Sequence, residues 1–119
     1  MTPPQKPQFL LLFRHPRKRP ARTSEEAQQI SATWIAWMKG IKDKGQLLVS
    51  DRLPDGGRVL RSAATTDGPL VDANQEIVGG FLIIAADSLD EATKIGRACP
   101  GLTSDNWVEV RPIEPIAIV

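Results

Sequence analysis

The chain has 119 residues, 41% of them hydrophobic and 24% charged, the length of one domain and the composition of a globular one. No apolar run approaches the roughly 18 residues a membrane span needs, and MTPPQKPQ lacks the apolar core and cleavage site of a secretory signal. The single cysteine, Cys99, allows no internal disulfide, and together these features set the expectation of a cytoplasmic protein.

The net charge of +1 hides an asymmetry. Residues 1–24 carry six Lys or Arg and no acid, whereas residues 25–119 carry nine against all fourteen acids, a net of −5. The surplus is concentrated in Arg14-His15-Pro16-Arg17-Lys18-Arg19-Pro20-Ala21-Arg22. Such a segment is either a local anion or nucleic-acid contact or a solvated loop. The acidic remainder of the chain opposes a polyphosphate partner, so nucleic acid is not expected.

In chain order, residues 1–7 read as an extended, proline-rich segment leading into a single domain over 8–119. Gln8 to Arg14 (QFLLLFR) is a buried strand that ends at His15-Pro16. Thr23 and Glu26 form a capping-box pair. After them, Ala27, Ile30, Trp34, Trp37 or Met38, and Ile41 make one apolar helix face at three- and four-residue spacing. Gly45 is placed to end that helix. Gln46 to Leu53 is a second strand, Pro54-Asp55-Gly56-Gly57 a turn, and Arg58 to Ser62 a returning third strand. Phe81 to Ala86 (FLIIAA) is apolar throughout, as a central strand would be. Asp87 or Ser88 caps a second helix whose inner face is Leu89, Ala92, Ile95 and Cys99. Asn106 to Ile113 (NWVEVRPI) alternates and is the last strand.

The order predicts an α+β fold of the ferredoxin-like βαββαβ type with an added hairpin strand: an antiparallel sheet with two helices on one face. Two helices leave the other face bare. A second copy is the simplest cover, so the expected assembly is a homodimer, a dimeric α+β barrel.

The stretch TDGPLVDANQEIVGGF (66–81) is longer than a plain connector needs. Gly68 and Pro69 suggest a shaped turn with unusual backbone angles, Asp67 an acceptor for nearby amides, and Gly79-Gly80 a close backbone approach. Asp67-Gly68-Pro69, Glu76, Gly79-Gly80, Asp90-Glu91-Ala92, Cys99-Pro100 and Val108-Glu109-Val110-Arg111-Pro112 together resemble the YCII-related family, and within it the DGPF branch. The resemblance implies a dimeric α+β barrel and no established reaction. The chain departs from the family pattern at Leu70, where Phe is usual, and in a segment 67–79 one residue longer than the common spacing. Some relatives carry a His–Asp pair proposed as catalytic. Here Asp43 falls on the Asp, but Trp34 stands where the His would be.

Five residues are the candidate site. His15, the only histidine, directly follows the first strand, and imidazole is a general base suited to neutral pH. Asp67 is either a carboxylate lining a cleft or a turn residue bonding its own backbone. These two are the catalytic candidates. Arg14, Trp34, Asp67 and Arg111 are the ligand-binding candidates, weighed against a surface role for the arginines and a core or interface role for Trp34. Cys99 reads as a buried, unreactive thiol. One His and one Cys make no structural-metal cluster, and no Walker loop, GxGxxG or Gly-x-Ser-x-Gly motif is present. No metal or cofactor is expected.

Three function classes follow. The first is a homodimer with an unidentified small-molecule ligand in a pocket between sheet and helix. The second is an enzyme acting on a small organic molecule through Asp67 with His15 or Arg111. The third is a regulatory interaction module, which the resemblance links to alternative sigma factors. The charge asymmetry generates a direct test. Duplex DNA should bind the chain only weakly and lose that binding as salt rises, and sub-micromolar binding at physiological salt would overturn this expectation.

Overall fold

The structure, a computed structural model, describes residues 6–103 and 106–118. The elements run β1 (Gln8–Pro16), α1 (Ser24–Asp43), β2 (Leu47–Arg52), β3 (Arg58–Arg61), β4 (Ala64–Asp67), β5 (Glu76–Ala85), α2 (Leu89–Arg97) and β6 (Trp107–Ile113). Four strands form one antiparallel sheet in the order β2-β5-β1-β6. With β3 and β4 set aside, the order is that of a ferredoxin-like βαββαβ domain, the expected α+β fold.

The middle of the sheet is apolar on the side that meets the helices. Leu11 and Ile84 are fully buried, and Phe9 and Leu82 nearly so. Ile41 of α1 and Ala92 of α2 close the same cluster, which places both helices on one face. Val108 and Val110 of β6 pack on it from the sheet edge. The strands alternate, so Leu10, Leu12, Phe81 and Ile83 point to the other face, where they lie opposite one another across β1 and β5. All four are only partly buried there.

The caps follow the sequence reading. The Thr23 side chain accepts from the Glu26 amide, and Glu26 accepts in return from the Thr23 amide. At the other end the Gln46 amide donates to the Ile41 carbonyl and the Gly45 amide to that of Lys42. Gly45 has φ +71°, the left-handed residue that this paired C-cap requires. Ser88 caps α2 through the Glu91 amide. Leu89, placed on the inner face by its spacing, is half exposed, and Ala92 and Gly96 are the residues of α2 that are buried.

Three readings of the central region need correction. The third strand does not return along β2. It pairs instead with β4, an element the sequence reading left as loop, to make a separate two-stranded ribbon. Gly56 and Gly57, at φ +120° and +92°, redirect the chain after β2. β2 stays an edge strand paired only with β5, and the segments RVLR and ATTD pair with each other in solvent. Gly68 has no positive φ. It is needed for space, since a Cβ there would lie 3.2–3.3 Å from the backbone of residues 56–58, and its amide bonds to the Gly57 carbonyl at 2.8 Å. The loop carboxylate is Asp72, not Asp67. Asp72 Oδ1 accepts from the Asn74 and Glu76 amides, both at 2.9 Å, and its own amide bonds to the Glu76 carbonyl. Among the described residues the Asp67 carboxylate makes no hydrogen bond or ion pair, and Asp67 is exposed.

Asp72→Ala should therefore lower stability by about 1–2 kcal/mol, two local hydrogen bonds in a half-exposed loop. Asp67→Ala should be nearly neutral. Chemical denaturation of both variants checks this, and equal losses would refute the assignment.

Candidate functional site at the end of the first strand

The site is built where β1 leaves the sheet. Up to Phe13 the strand pairs regularly with β5, Phe13 opposite Gly80. The next pair is Arg14 with Val78, so Gly79 is the extra residue of a β-bulge. The bulge makes room for the imidazole. A Cβ on Gly79 would sit 2.3 Å from His15 Nε2 and 2.5 Å from its Cδ2. Gly79 therefore serves a side chain, whereas its neighbour Gly80 serves a backbone approach, its virtual Cβ lying 3.0 Å from the Asp51 carbonyl oxygen.

His15 is held through one nitrogen. Its Nδ1 lies 2.7 Å from the Pro16 carbonyl oxygen and 3.0 Å from Arg19 Nε. Arginine only donates and a carbonyl only accepts. With a proton on Nδ1 the ring bonds Pro16 and Nε2 is a free base. Without one, Nδ1 accepts from Arg19 and Nε2 carries the hydrogen.

Beside His15 is an aromatic group. Phe13 meets Trp34 edge-to-face at 5.0 Å between ring centroids, and Trp34 meets Trp37 at 5.7 Å. Trp37 Nε1 donates to the Ile95 carbonyl, which ties α1 to α2. Gly101, after α2, leaves space for Trp34, since a Cβ there would fall 2.2 Å from its ring. On the other side Trp107, half exposed, donates its Nε1 hydrogen to Glu76 Oε2.

Between these groups is a small cavity of about 30 Å³, closed mainly by β1, Trp34, the turn after α2 and the start of β6. Arg14, His15, Arg19, Trp34, Asn106 and Trp107 line it. Cys99 also lines it. Its thiol is buried, and burial pushes its pKa up against the lowering effect of the Gly101 and Leu102 amides, so it stays a thiol. Arg14 reaches across to Glu109 at 3.3 Å. Arg19 is held below the ordinary arginine range, first by desolvation and then by the nearby charges of Arg22 and Arg52. A larger hollow of about 350 Å³ runs along α1 and β2 past Ile35, Met38 and Leu47. It is shallow and open, and Lys39, Lys42, Asp43 and Ser50 also line it, Lys39 and Asp43 as an exposed pair. Among the described residues no cluster of three His, Cys, Asp or Glu could hold a metal.

Three of the five sequence candidates, Arg14, His15 and Trp34, meet at this cavity. Asp67 lies exposed at the end of the ribbon and Arg111 exposed on β6, and neither lines it. Sequence reasoning did not select Arg19, Asn106 and Trp107. Arg19 was visible only as one charge in the basic run, and the other two as the start of a strand.

The glycine clearance is testable. Gly79→Ala should cost about 1–3 kcal/mol, the usual range for overpacking. The Gly79→Ala/His15→Ala double variant should cost clearly less than the sum of the singles, because the second change removes the clash. Additive losses in denaturant unfolding would show that the ring does not occupy that space.

A comparison with curated proteins finds no match. The sequence model of the YCII-related domain, however, matches residues 8–117, from the first residue of β1 to beyond the end of β6. Since this covers both helices, the whole sheet and the cavity, the chain belongs to the YCII-related domain family.

Proposed function

We propose that this chain is a homodimer of the DGPF branch of its family that binds a small organic molecule at the end of β1, between sheet and helix. The observation that carries the reading is one cavity at the end of β1 whose lining includes His15, Arg19, Trp34 and Asn106. The branch assignment rests on Asp67-Gly68-Pro69 and the glycine pair 79–80.

The dimer rests on shape and surface. The chain has a radius of gyration of 16.4 Å, against about 13–14 Å for a compact domain of this length. It is only 20 Å thick along its shortest axis. Leu10, Leu12, Phe81 and Ile83 form an apolar strip on the face away from the helices, and a protein surface of that kind is usually covered. A second copy placed face to face buries this strip and leaves the cavity, on the helix side, accessible. The enzymatic reading through Asp67 needs that carboxylate beside His15, and the lining of the cavity does not include it.

Light scattering over micromolar concentrations should give about twice 13.0 kDa. Leu12→Glu should return the mass to that of one chain, and a wild-type monomer at the highest concentration would refute the dimer. In a thermal-shift screen of neutral and charged fragments, a true ligand at a hundred times its dissociation constant adds about 2.7 kcal/mol. Its shift should vanish in His15→Ala. Shifts unaffected by that change would move the site elsewhere.

A further inference from the structure

We infer that the second copy lies on the sheet with its strands antiparallel to those of the first, so that Arg111 of each chain pairs with the partner's Glu109. This rests on the homodimer proposed above and names the charged residues that orient it.

Strand register places the residues that would meet a partner. On the face away from the helices, Val78, Phe81, Ile83 and Ala85 follow one another along β5, beside Leu10 and Leu12 on β1. All six are only partly buried. The apolar strip is therefore two strands wide, about 5 Å from strand to strand, and roughly 20 Å long. A long, narrow strip covers itself fully only when the strands of the two copies run along one another, as in the aligned packing of stacked sheets. Charged residues flank the strip. Asp51, Phe81, Leu12 and Glu109 form one cross-strand row on this face, and Val49, Ile83, Leu10 and Arg111 form the next. Beyond the first row stand Arg14 and Trp107, and beyond the second Gln8 and Ile113.

A two-fold axis aligns two such sheets in two ways. With the axis along the strands, β2 lies over the partner's β6 and each row meets its own copy. Asp51 then faces the partner's Glu109, acid against acid, and Arg14 faces the partner's Val78. With the axis across the strands, each strand lies over its own copy and the two central rows exchange. Leu10 then faces the partner's Leu12, and Ile83 the partner's Phe81. Arg111 faces the partner's Glu109, and Ile113 the partner's Trp107. Each contact occurs twice, because a two-fold interface pairs the same patch with itself. Complementary charge selects the second arrangement, since like charges set face to face penalise the first.

The residues concerned have capacity for these contacts. Arg111 is exposed and makes no ion pair among the described residues. Glu109 accepts from Arg14 through Oε1 at 3.3 Å, and its Oε2 makes no hydrogen bond among the described residues. Trp107 is 54% exposed, so the partner's Ile113 would cover apolar surface that one chain leaves open. Val49 over the partner's Asp51 is the one unmatched contact. Both residues are exposed on the edge strand, where the carboxylate keeps its water.

Sedimentation velocity of the full chain over a concentration series at constant ionic strength tests this, with Arg111→Glu, Arg111→Glu/Glu109→Arg and Asp51→Asn beside wild type. Arg111→Glu changes an exposed position and should weaken the dimer about tenfold or more with an unchanged circular-dichroism spectrum. The double variant restores opposite charges across the interface and should return the dissociation constant to within about threefold of wild type. Asp51→Asn should leave the constant unchanged, whereas an axis along the strands requires a tighter dimer once the acid facing Glu109 is gone. A dimer unmoved by Arg111→Glu overturns the inference. So does a tighter Asp51→Asn dimer, or a folded double variant as weak as the single one. If the double variant does not fold, having lost the Arg14 partner, the other two variants decide alone. A wild-type chain that is monomeric throughout refutes the homodimer itself. A wild-type dimer insensitive to Arg111→Glu leaves the homodimer standing and removes only this arrangement.

Discussion

The antiparallel pairing of β1 with β5 is the constraint on which the rest of this molecule depends. These two strands supply Leu11, Leu82 and Ile84, the largest fully buried side chains. Both helices and both flanking strands are organised around them. At roughly 1.5–3 kcal/mol for each large apolar side chain taken out of water, this strip outweighs the exposed or half-exposed ion pairs found among the described residues. It also sets the register. A slip of one residue would turn Leu11 and Leu82 to the face that carries Leu10 and Arg14.

The same pairing creates the site by failing in one place. Regular register ends at Phe13, and the extra residue opposite it is Gly79. A side chain at that bulge would occupy the position of the His15 ring. The bulge and the histidine are therefore one feature, and the loop held by Asp72 delivers Glu76 and β5 to the right point to form it. Gly101 makes the corresponding space for Trp34 from the other side. Two glycines thus shape the cavity, each by omitting a Cβ and neither by adopting a positive φ.

The two faces of the sheet divide the work. The helix face holds the core, and at its end the cavity, with Phe13, Trp34 and Trp37 in edge-to-face contact forming a stiff floor. The opposite face holds an apolar strip that the chain itself leaves partly open. The basic segment after β1 lies at the cavity because β1 ends there. There Arg19 lies close enough to Arg22 and Arg52 for their charges to act on it.

Much of this architecture was legible in the sequence. The capping box at Thr23 and Glu26, the Gly45 stop and the unbroken apolar run of β5 are local signals, decided by neighbours within a few residues. Signals of this kind along the chain identified both helices and all four strands of the main sheet, and with them the α+β class. The candidates Arg14, His15 and Trp34 were visible as residue types at the end of a strand and on a helix face. Only the tertiary structure decided that they meet, because residues 14 and 34 come together through the packing of α1 on the sheet, a long-range event that no local pattern encodes. It also decided that Arg19 and Trp107 belong with them, that Asp67 stands apart, and that β3 pairs with β4. Which strand a segment pairs with, and which amides a carboxylate bonds, depend on what the fold brings together. Those are properties of the assembled molecule, so they were not readable one residue at a time.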